Sequence, residues 1–226
     1  MGLLPTGTGN SLLTDMACTD VMEMATRIAT GKVCNMDLVK VTVEGASVYS
    51  MNCLCLGLTG DVGVAAESFR CLGGARYDAC AVWGVLKGKL EPYKIEYTTK
   101  DGERIVIEED FVTAFANHTQ YFGKKLRATP KAVLDDGLLD IMTIRNAKRA
   151  KALQLFTVLP DGQHMNDSVV DYIQAKAVTF TVQKPGVGVV DGELFQHRGT
   201  IELEVISGAF PFIGAETSST EILSEV

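Results

Sequence analysis

Residues 186–196 read GVGVVDGELFQ, two alternating runs joined by Asp191-Gly192. An Asp-Gly pair between such runs marks a β-hairpin, because both central residues of the favoured two-residue turn need a positive φ. The hairpin has many companions. YKIEYTT (93–99), RIVIE (104–108), FVTAFANH (111–118), LLDIMTI (138–144), AVTFTV (177–182) and TIELEVI (200–206) are short apolar or alternating runs separated by Asp-Gly, Lys-Pro-Gly or Arg-Gly turns. Further upstream, MDLVKVTVE (36–44) and SVYSMNCLCLGL (47–58) read as paired strands about a Glu44-Gly45-Ala46 turn. The total, about nine or ten strands, predicts a two-layer β-sandwich rather than one open sheet. One helix interrupts the strands, from Asn146 to Leu159, closed by Pro160-Asp161-Gly162.

The amino-terminal part has a different character. Apolar residues at Leu12, Leu13, Met16, Ala17, Val21, Met24, Ala25 and Ile28 keep a helical period up to Gly31, which predicts one amphipathic helix. Residues 62–90 read as helical again, in two stretches broken at Gly73-Gly74. The chain therefore divides into an α/β piece over 1–32, a β-rich domain over 33–216 and a mobile tail over 217–226. The fold class is α+β.

With 46% apolar and 22% charged residues, the 226-residue chain has the composition of a folded globular protein with one substantial core. A formal net charge of −7 argues against nucleic acid as a partner. No apolar run reaches the ~18–20 residues that span a bilayer. All six cysteines lie within the first 80 residues, without metal-site spacing, and Cys53 and Cys55 share one face of a strand. They are expected to pack in the core in a reducing compartment.

Four stretches carry chemistry. In LLPTGTGN (3–10), Gly7 and Gly9 allow close backbone approach to a ligand, and the helix that follows directs unpaired amides at the same spot, with Asn10 or Ser11 as its cap. The loop lacks the Gly-Lys-Ser/Thr ending of a Walker loop and the three-glycine spacing of a dinucleotide fold. In ESFRCLGGARY (67–77), Arg70 and Arg76 flank a glycine pair and can bring two guanidinium groups to one polyphosphate, or simply face solvent. Asp135-Asp136-Gly137 suits either a bound Mg²⁺ or a plain turn. The hairpin explains Asp191 and Gly192, whereas Glu193 beside the tip can reach a cleft. The three histidines are isolated and receive no role.

Taken in order, LLPTGTGNSL, GDVGVAAESFRCLGGARYDA, ATPKAVLDDGLLDI and VVDGELF resemble the diacylglycerol kinase and sphingosine kinase superfamily of lipid kinases, over roughly positions 2–212. The resemblance implies an α/β nucleotide-binding domain followed by a β-sandwich, with ATP in the cleft between them. On that alignment the chain opens on the last strand, phosphate loop and helix start of the nucleotide domain, and the family's Gly-Gly-Asp-Gly segment, with its base, is missing. Thr8, Gly9 and Asn10 fall on nucleotide-loop positions, and Arg70 and Arg76 on arginines that hold nucleotide phosphates. Asp136 falls on a Mg²⁺ ligand, and Asp191 with Glu193 on the late Asp-Gly-Glu element of the catalytic cleft. Asp61 falls on the first aspartate of the sphingosine kinases' substrate-binding Asp-Val-Asp; Gly63 replaces the second, which favours a neutral headgroup such as diacylglycerol, although ESFRCLGGARY is closer to the sphingosine branch.

The implied function is ATP- and Mg²⁺-dependent phosphorylation of a lipid hydroxyl, on a sphingoid base or diacylglycerol, by a cytoplasmic protein attached peripherally to a membrane surface, with a homodimer as an allowed assembly. Without the base, the 226 residues alone are expected to turn over little substrate. The alternative is a noncatalytic β-sandwich that binds lipid or a partner protein. An enzyme similar to NAD kinase shares the distant α/β fold but lacks this sandwich pattern.

Overall fold

The computed structural model of the chain describes residues 1–7, 9–68, 80, 82–84, 91–123 and 126–214. Two short helices, α1 (Ser11–Asp15) and α2 (Val21–Thr30), lead into the strands β1 (Val33–Val43), β2 (Ala46–Ser50) and β3 (Cys53–Gly57). Helix α3 (Leu58–Ser68) follows, then β4 (Glu91–Thr99), β5 (Arg104–Asn117) and β6 (Leu139–Arg145). Helix α4 (Arg149–Val158) and a 3₁₀ turn (Gln163–Asn166) precede β7 (Val170–Val182), β8 (Gly186–Val190), β9 (Glu193–His197) and β10 (Thr200–Ile213). The expected tail over 217–226 and most of the expected helix pair over 62–90 lie outside the described residues.

The ten strands form one continuous sheet in the order β2-β1-β10-β7-β4-β5-β3-β8-β9, with β6 closing between β5 and β7. The sheet folds over itself because β5 and β7 are long enough to serve both layers. β5 pairs with β4 through Phe111 and with β6 and β3 beyond it; β7 pairs with β6 up to Ala175 and with β4 and β10 thereafter. The main core, including Leu54, Ile95, Phe111, Leu139, Ile141, Phe180 and Leu203, lies between the layers. β6 is buried on both faces, which explains its unbroken apolar run: Leu139 and Ile141 enter the main core, while Met142 and Ile144 join a second cluster with Phe115, Ala128, Leu155 and Leu159. A third cluster packs α1 and α2 on the ends of β1 and β10 through Leu12, Leu13, Met16, Met24, Met36, Leu134 and Phe212.

The two-layer sandwich, the Asp191-Gly192 hairpin and the helix after β6 agree with the sequence reading. Three local expectations are corrected. The single helix over 12–28 is two helices, because Asp20 caps a new one, its carboxylate accepting from the Glu23 amide at 2.8 Å, and the chain turns back at Ala17 with φ 49°. Of the periodic positions, Leu12, Leu13, Met16 and Met24 are buried in one cluster, whereas Ala17 and Val21 at the break are exposed. The stretch 47–58 is likewise two strands: at Met51-Asn52 the chain leaves one layer for the other, so β2 pairs with β1 but β3 pairs with β5 and β8. Conversely, the runs at 104–108 and 111–118 are one strand. The described cysteines Cys18, Cys34, Cys53, Cys55 and Cys80 are free thiols, all but Cys34 buried.

Candidate functional site

The glycine loop lies against the segment that joins β5 to β6. Asn10 adopts the left-handed conformation (φ 50°, ψ 35°), and its side-chain amide donates to the Gly7 carbonyl at 2.7 Å, closing the turn. Neither expected capping bond forms: Asn10 makes no cap, and the Ser11 hydroxyl donates instead to the Gly123 carbonyl at 2.8 Å. Since α1 has five residues, its aligned peptide dipoles are few. Space remains at Gly9, where the nearest atom to an added Cβ is the Gly123 oxygen at 3.9 Å. Thr8 lies outside the described residues.

The 118–137 segment is a strap tied at both ends of this region. Its Gln120 amide donates to Asp15 of α1 at 2.9 Å, and Arg127 donates to the Gln120 side chain at 2.9 Å. Burial pushes the Asp15 carboxyl up to about 8, against the opposing pull of the Gln120 and Tyr121 amides and Arg127. Further along, the buried His118 ring bonds the Leu134 carbonyl at 2.9 Å, and burial lowers its pKa although Asp37 and Asp191 act to raise it.

Asp37 is the carboxylate that sequence reasoning missed. It sits at a bulge in β1, 1% exposed, and accepts from the Gly137 amide (2.6 Å), the Gly208 amide (2.7 Å) and the Ser207 hydroxyl (3.1 Å). These bonds fasten the Asp135-Asp136-Gly137 turn to β1 and β10. Asp136 is exposed, with one oxygen accepting from the Leu138 amide at 3.0 Å. Partial burial, then the neighbouring carboxylates Asp37 and Asp135, raise its pKa, and Lys100 opposes them weakly. Asp135 is raised for the same reasons. The only sequence signals for Asp37 were an acid inside an alternating strand and a Ser-Gly pair in β10.

Asp191 occupies the left-handed first position of the β8–β9 turn (φ 48°). Its carboxylate accepts from the Ser50 hydroxyl (2.7 Å) and from the Met51, Asn52 and Cys53 amides (2.9, 3.1 and 2.9 Å). It thus holds the corner at which the chain changes layers. Asn52 continues the contact chain, its carbonyl accepting from the His118 amide at 2.8 Å and its side chain from the Thr119 hydroxyl. Through Asn52, His118, Leu134 and Asp37, the Asp191 turn is linked to the Asp136 turn, and the same strap reaches α1 through Gln120 and the end of the glycine loop through Gly123. Glu193, the first residue of β9, is exposed beside that turn.

Asp61 is placed differently. It is exposed in the first turn of α3, beyond the end of β3 opposite to Asp191, about 13 Å of extended strand away. Helix α3 lies directly on β8: a Cβ at Gly60 would stand 1.8 Å from the Val187 carbonyl oxygen, and one at Gly63 would stand 2.9 Å from Leu194. Arg70 and Arg76 lie outside the described residues.

The open backbone at Gly9 fits close approach of a phosphate group. Among the described residues no three His, Cys, Asp or Glu side chains converge on a metal position. Mg²⁺ commonly takes only one or two protein carboxylates and completes its shell with water and phosphate oxygens, and Asp136 fits that limited part.

Residues 52–212 match the family described as the YegS C-terminal NAD kinase beta sandwich-like domain, which corrects the expectation that the NAD kinase pattern lacks this sandwich. Sphingosine kinase 1 of Arabidopsis thaliana is 20% identical over 84% of this chain and 47% of its own length. Diacylglycerol kinase of Mycobacterium tuberculosis H37Rv is 33% identical over 46% of this chain and 33% of its own length. A solved structure of a putative diacylglycerol kinase from Bacillus anthracis superposes with a TM-score of 0.71 at 22% identity, over 94% of this chain and 68% of that one, a likeness of fold. The chain spans about half the length of the Arabidopsis sphingosine kinases 1 and 2 that it matches, 47% and 50%. With the family match covering most of the sandwich, the chain belongs to the YegS C-terminal β-sandwich family, the C-terminal part of the diacylglycerol kinase and sphingosine kinase superfamily of lipid kinases.

Proposed function

We propose that this chain is the sandwich-side part of an ATP-dependent lipid kinase that phosphorylates a lipid hydroxyl. The observation that carries the reading is the strap: its Gly123 carbonyl lies beside Gly9 and accepts from Ser11, its Gln120 amide donates to Asp15 of α1, and it ends in the Asp136 turn, so one segment ties the start of the helix after the glycine loop to that carboxylate turn. Phosphoryl transfer depends on positioning and charge neutralisation more than on covalent chemistry from the protein. In this reading Gly9 and Asn10, with Thr8, cradle phosphate oxygens through the backbone, and Arg70 and Arg76 neutralise them. Asp136 holds Mg²⁺, which when bound offsets charge on the transferring group. Glu193, exposed beside the Asp191 turn, orients groups at the rim of the cleft, while Asp191 keeps that rim in place. The base that deprotonates the lipid is not among these residues.

A neutral lipid headgroup suits the chain better than an ammonium. Asp61 is the one acid of the Asp61-Val62-Gly63 stretch, and a side chain at position 63 would have to displace the Leu194 side chain, which lies 2.9 Å from an added Cβ. Diacylglycerol is therefore the preferred substrate class, at a cytoplasmic membrane surface that the protein visits peripherally. Among the described residues no helix is long and apolar enough to cross a membrane.

A second reading, a noncatalytic β-sandwich that binds lipid or a partner, draws support from the four structural hydrogen bonds that the Asp191 carboxylate accepts. Calorimetry with Mg-ATP separates the two. The kinase reading expects measurable binding, weakened about tenfold or more by Arg70→Ala or Arg76→Ala, the worth of one charge-assisted phosphate contact. Absence of any nucleotide binding by the wild-type chain would overturn it in favour of the lipid module.

A further inference from the structure

Behind the strap, on the face of β6 turned to the second cluster, lies a buried polar group that the proposed chemistry does not use. Asp140 of β6 stands opposite Asn117 of β5 on one side and Gln174 of β7 on the other, and directly opposed residues of antiparallel strands project from the same face. Asp140 and Asn117 are both 0% exposed. One oxygen of Asp140 accepts from the Tyr172 hydroxyl and from the Gln174 amide at 3.1 Å. The other oxygen is buried with no partner, as is the side-chain oxygen of Asn117.

Rotating the Asn117 amide does not resolve this. Its nitrogen donates to the Thr129 hydroxyl at 3.0 Å, and the single hydroxyl hydrogen of Thr129 is already given to the Thr119 carbonyl at 2.7 Å. Thr129 can only accept from Asn117, so the amide must present nitrogen to Thr129 and oxygen elsewhere. The Tyr172 hydroxyl accepts from the Lys131 amide at 3.2 Å and gives its hydrogen to the Asp140 oxygen that also accepts from Gln174. Two buried acceptor oxygens without a protein partner are left on facing residues, where an unmade hydrogen bond is costly. A single hydrogen placed between them satisfies both.

We propose that Asp140 is held in the fold as a neutral carboxylic acid that donates its proton to the side-chain carbonyl of Asn117, making the β5–β6–β7 seam beneath the strap a pH-sensitive joint. The titratable groups that face it are Tyr172 from β7, Lys131 from the strap and Asp136 ahead of β6. Burial is the largest influence and raises the carboxyl to about 7; Asp136 adds to it, while the Tyr172 and Gln174 hydrogen bonds and Lys131 act against it. Loss of the proton places a charge against the Asn117 oxygen and loosens the seam on which Thr129 and Lys131 of the strap rest.

The test uses the whole chain and the Asp140→Asn variant, whose amide can supply the missing donor without a charge. Carbon-13 NMR of the aspartate carboxyls is expected to show a resonance with the neutral-acid shift at pH 6, absent from the variant, whose thermal midpoint at pH 7.5 equals or exceeds that of the wild type. A carboxyl that titrates in the ordinary aspartate range, a drop of several degrees in the variant, or its failure to fold would each overturn the proposal. Those results would mean that Asp140 is charged, with a water or cation between it and Asn117.

Discussion

Three aspartates in this protein, two before a turn glycine and one inside a strand, have very different physical states. Asp191 is exposed yet accepts four hydrogen bonds, Asp37 is buried and accepts three, and Asp136 is exposed with one. Removing either fastener strands its donors, but those around Asp37 are farther from water. Asp37→Ala should therefore cost about 3 kcal/mol and Asp191→Ala about 1–3 kcal/mol in denaturant unfolding. A loss of nucleotide binding in Asp191→Ala with unchanged stability would instead place that carboxylate in the chemistry. Asp15 makes a prediction about pH. Its carboxyl lies near 8 in the fold against an ordinary value of 3.8, so at neutral pH the folded chain holds a proton that the unfolded chain has released. Stability therefore falls as pH rises toward 8 and levels off above it. Thermal melts between pH 7 and 8.5 should show this decline, at most about 1.4 kcal/mol per pH unit for one proton, and Asp15→Asn should flatten it.

At the scale of elements, competing local signals decided where the sequence could be read. The hairpin at Asp191-Gly192 was legible because a two-residue turn depends only on its own residues. The break between α1 and α2 was not read, since the apolar period continues across it, although Asp20 and Glu23 have the spacing of a capping pair. The corner between β2 and β3 left no local mark because the groups that make it, Met51, Asn52 and Cys53, bond to a residue 138–140 positions away. Helix α3 shows a related dependence on a distant partner, as its seat on β8 requires the bare Cα of Gly60. Gly60→Ala should destabilise the fold by roughly 2–3 kcal/mol through overpacking. Hydrogen exchange should then quicken first in residues 58–66, and uniform quickening across the sandwich would argue against this seat.

At the scale of the whole molecule, the sandwich is one sheet folded on itself by two strands shared between layers, and the candidate site sits where loops from remote parts of the chain gather at one end. The number of strands, their alternation and the glycine-bearing turns were determined by the sequence alone, because side-chain period and positive φ are properties of a few adjacent residues. The glycine loop and the Asp-Asp-Gly turn were visible as candidates for the same reason. Only the tertiary structure decided which carboxylates are consumed as fasteners, which one faces outward and which one is buried opposite an amide oxygen. Those outcomes depend on donors and burial supplied by segments up to 171 residues distant, as between Gly208 and Asp37, and no local pattern encodes them.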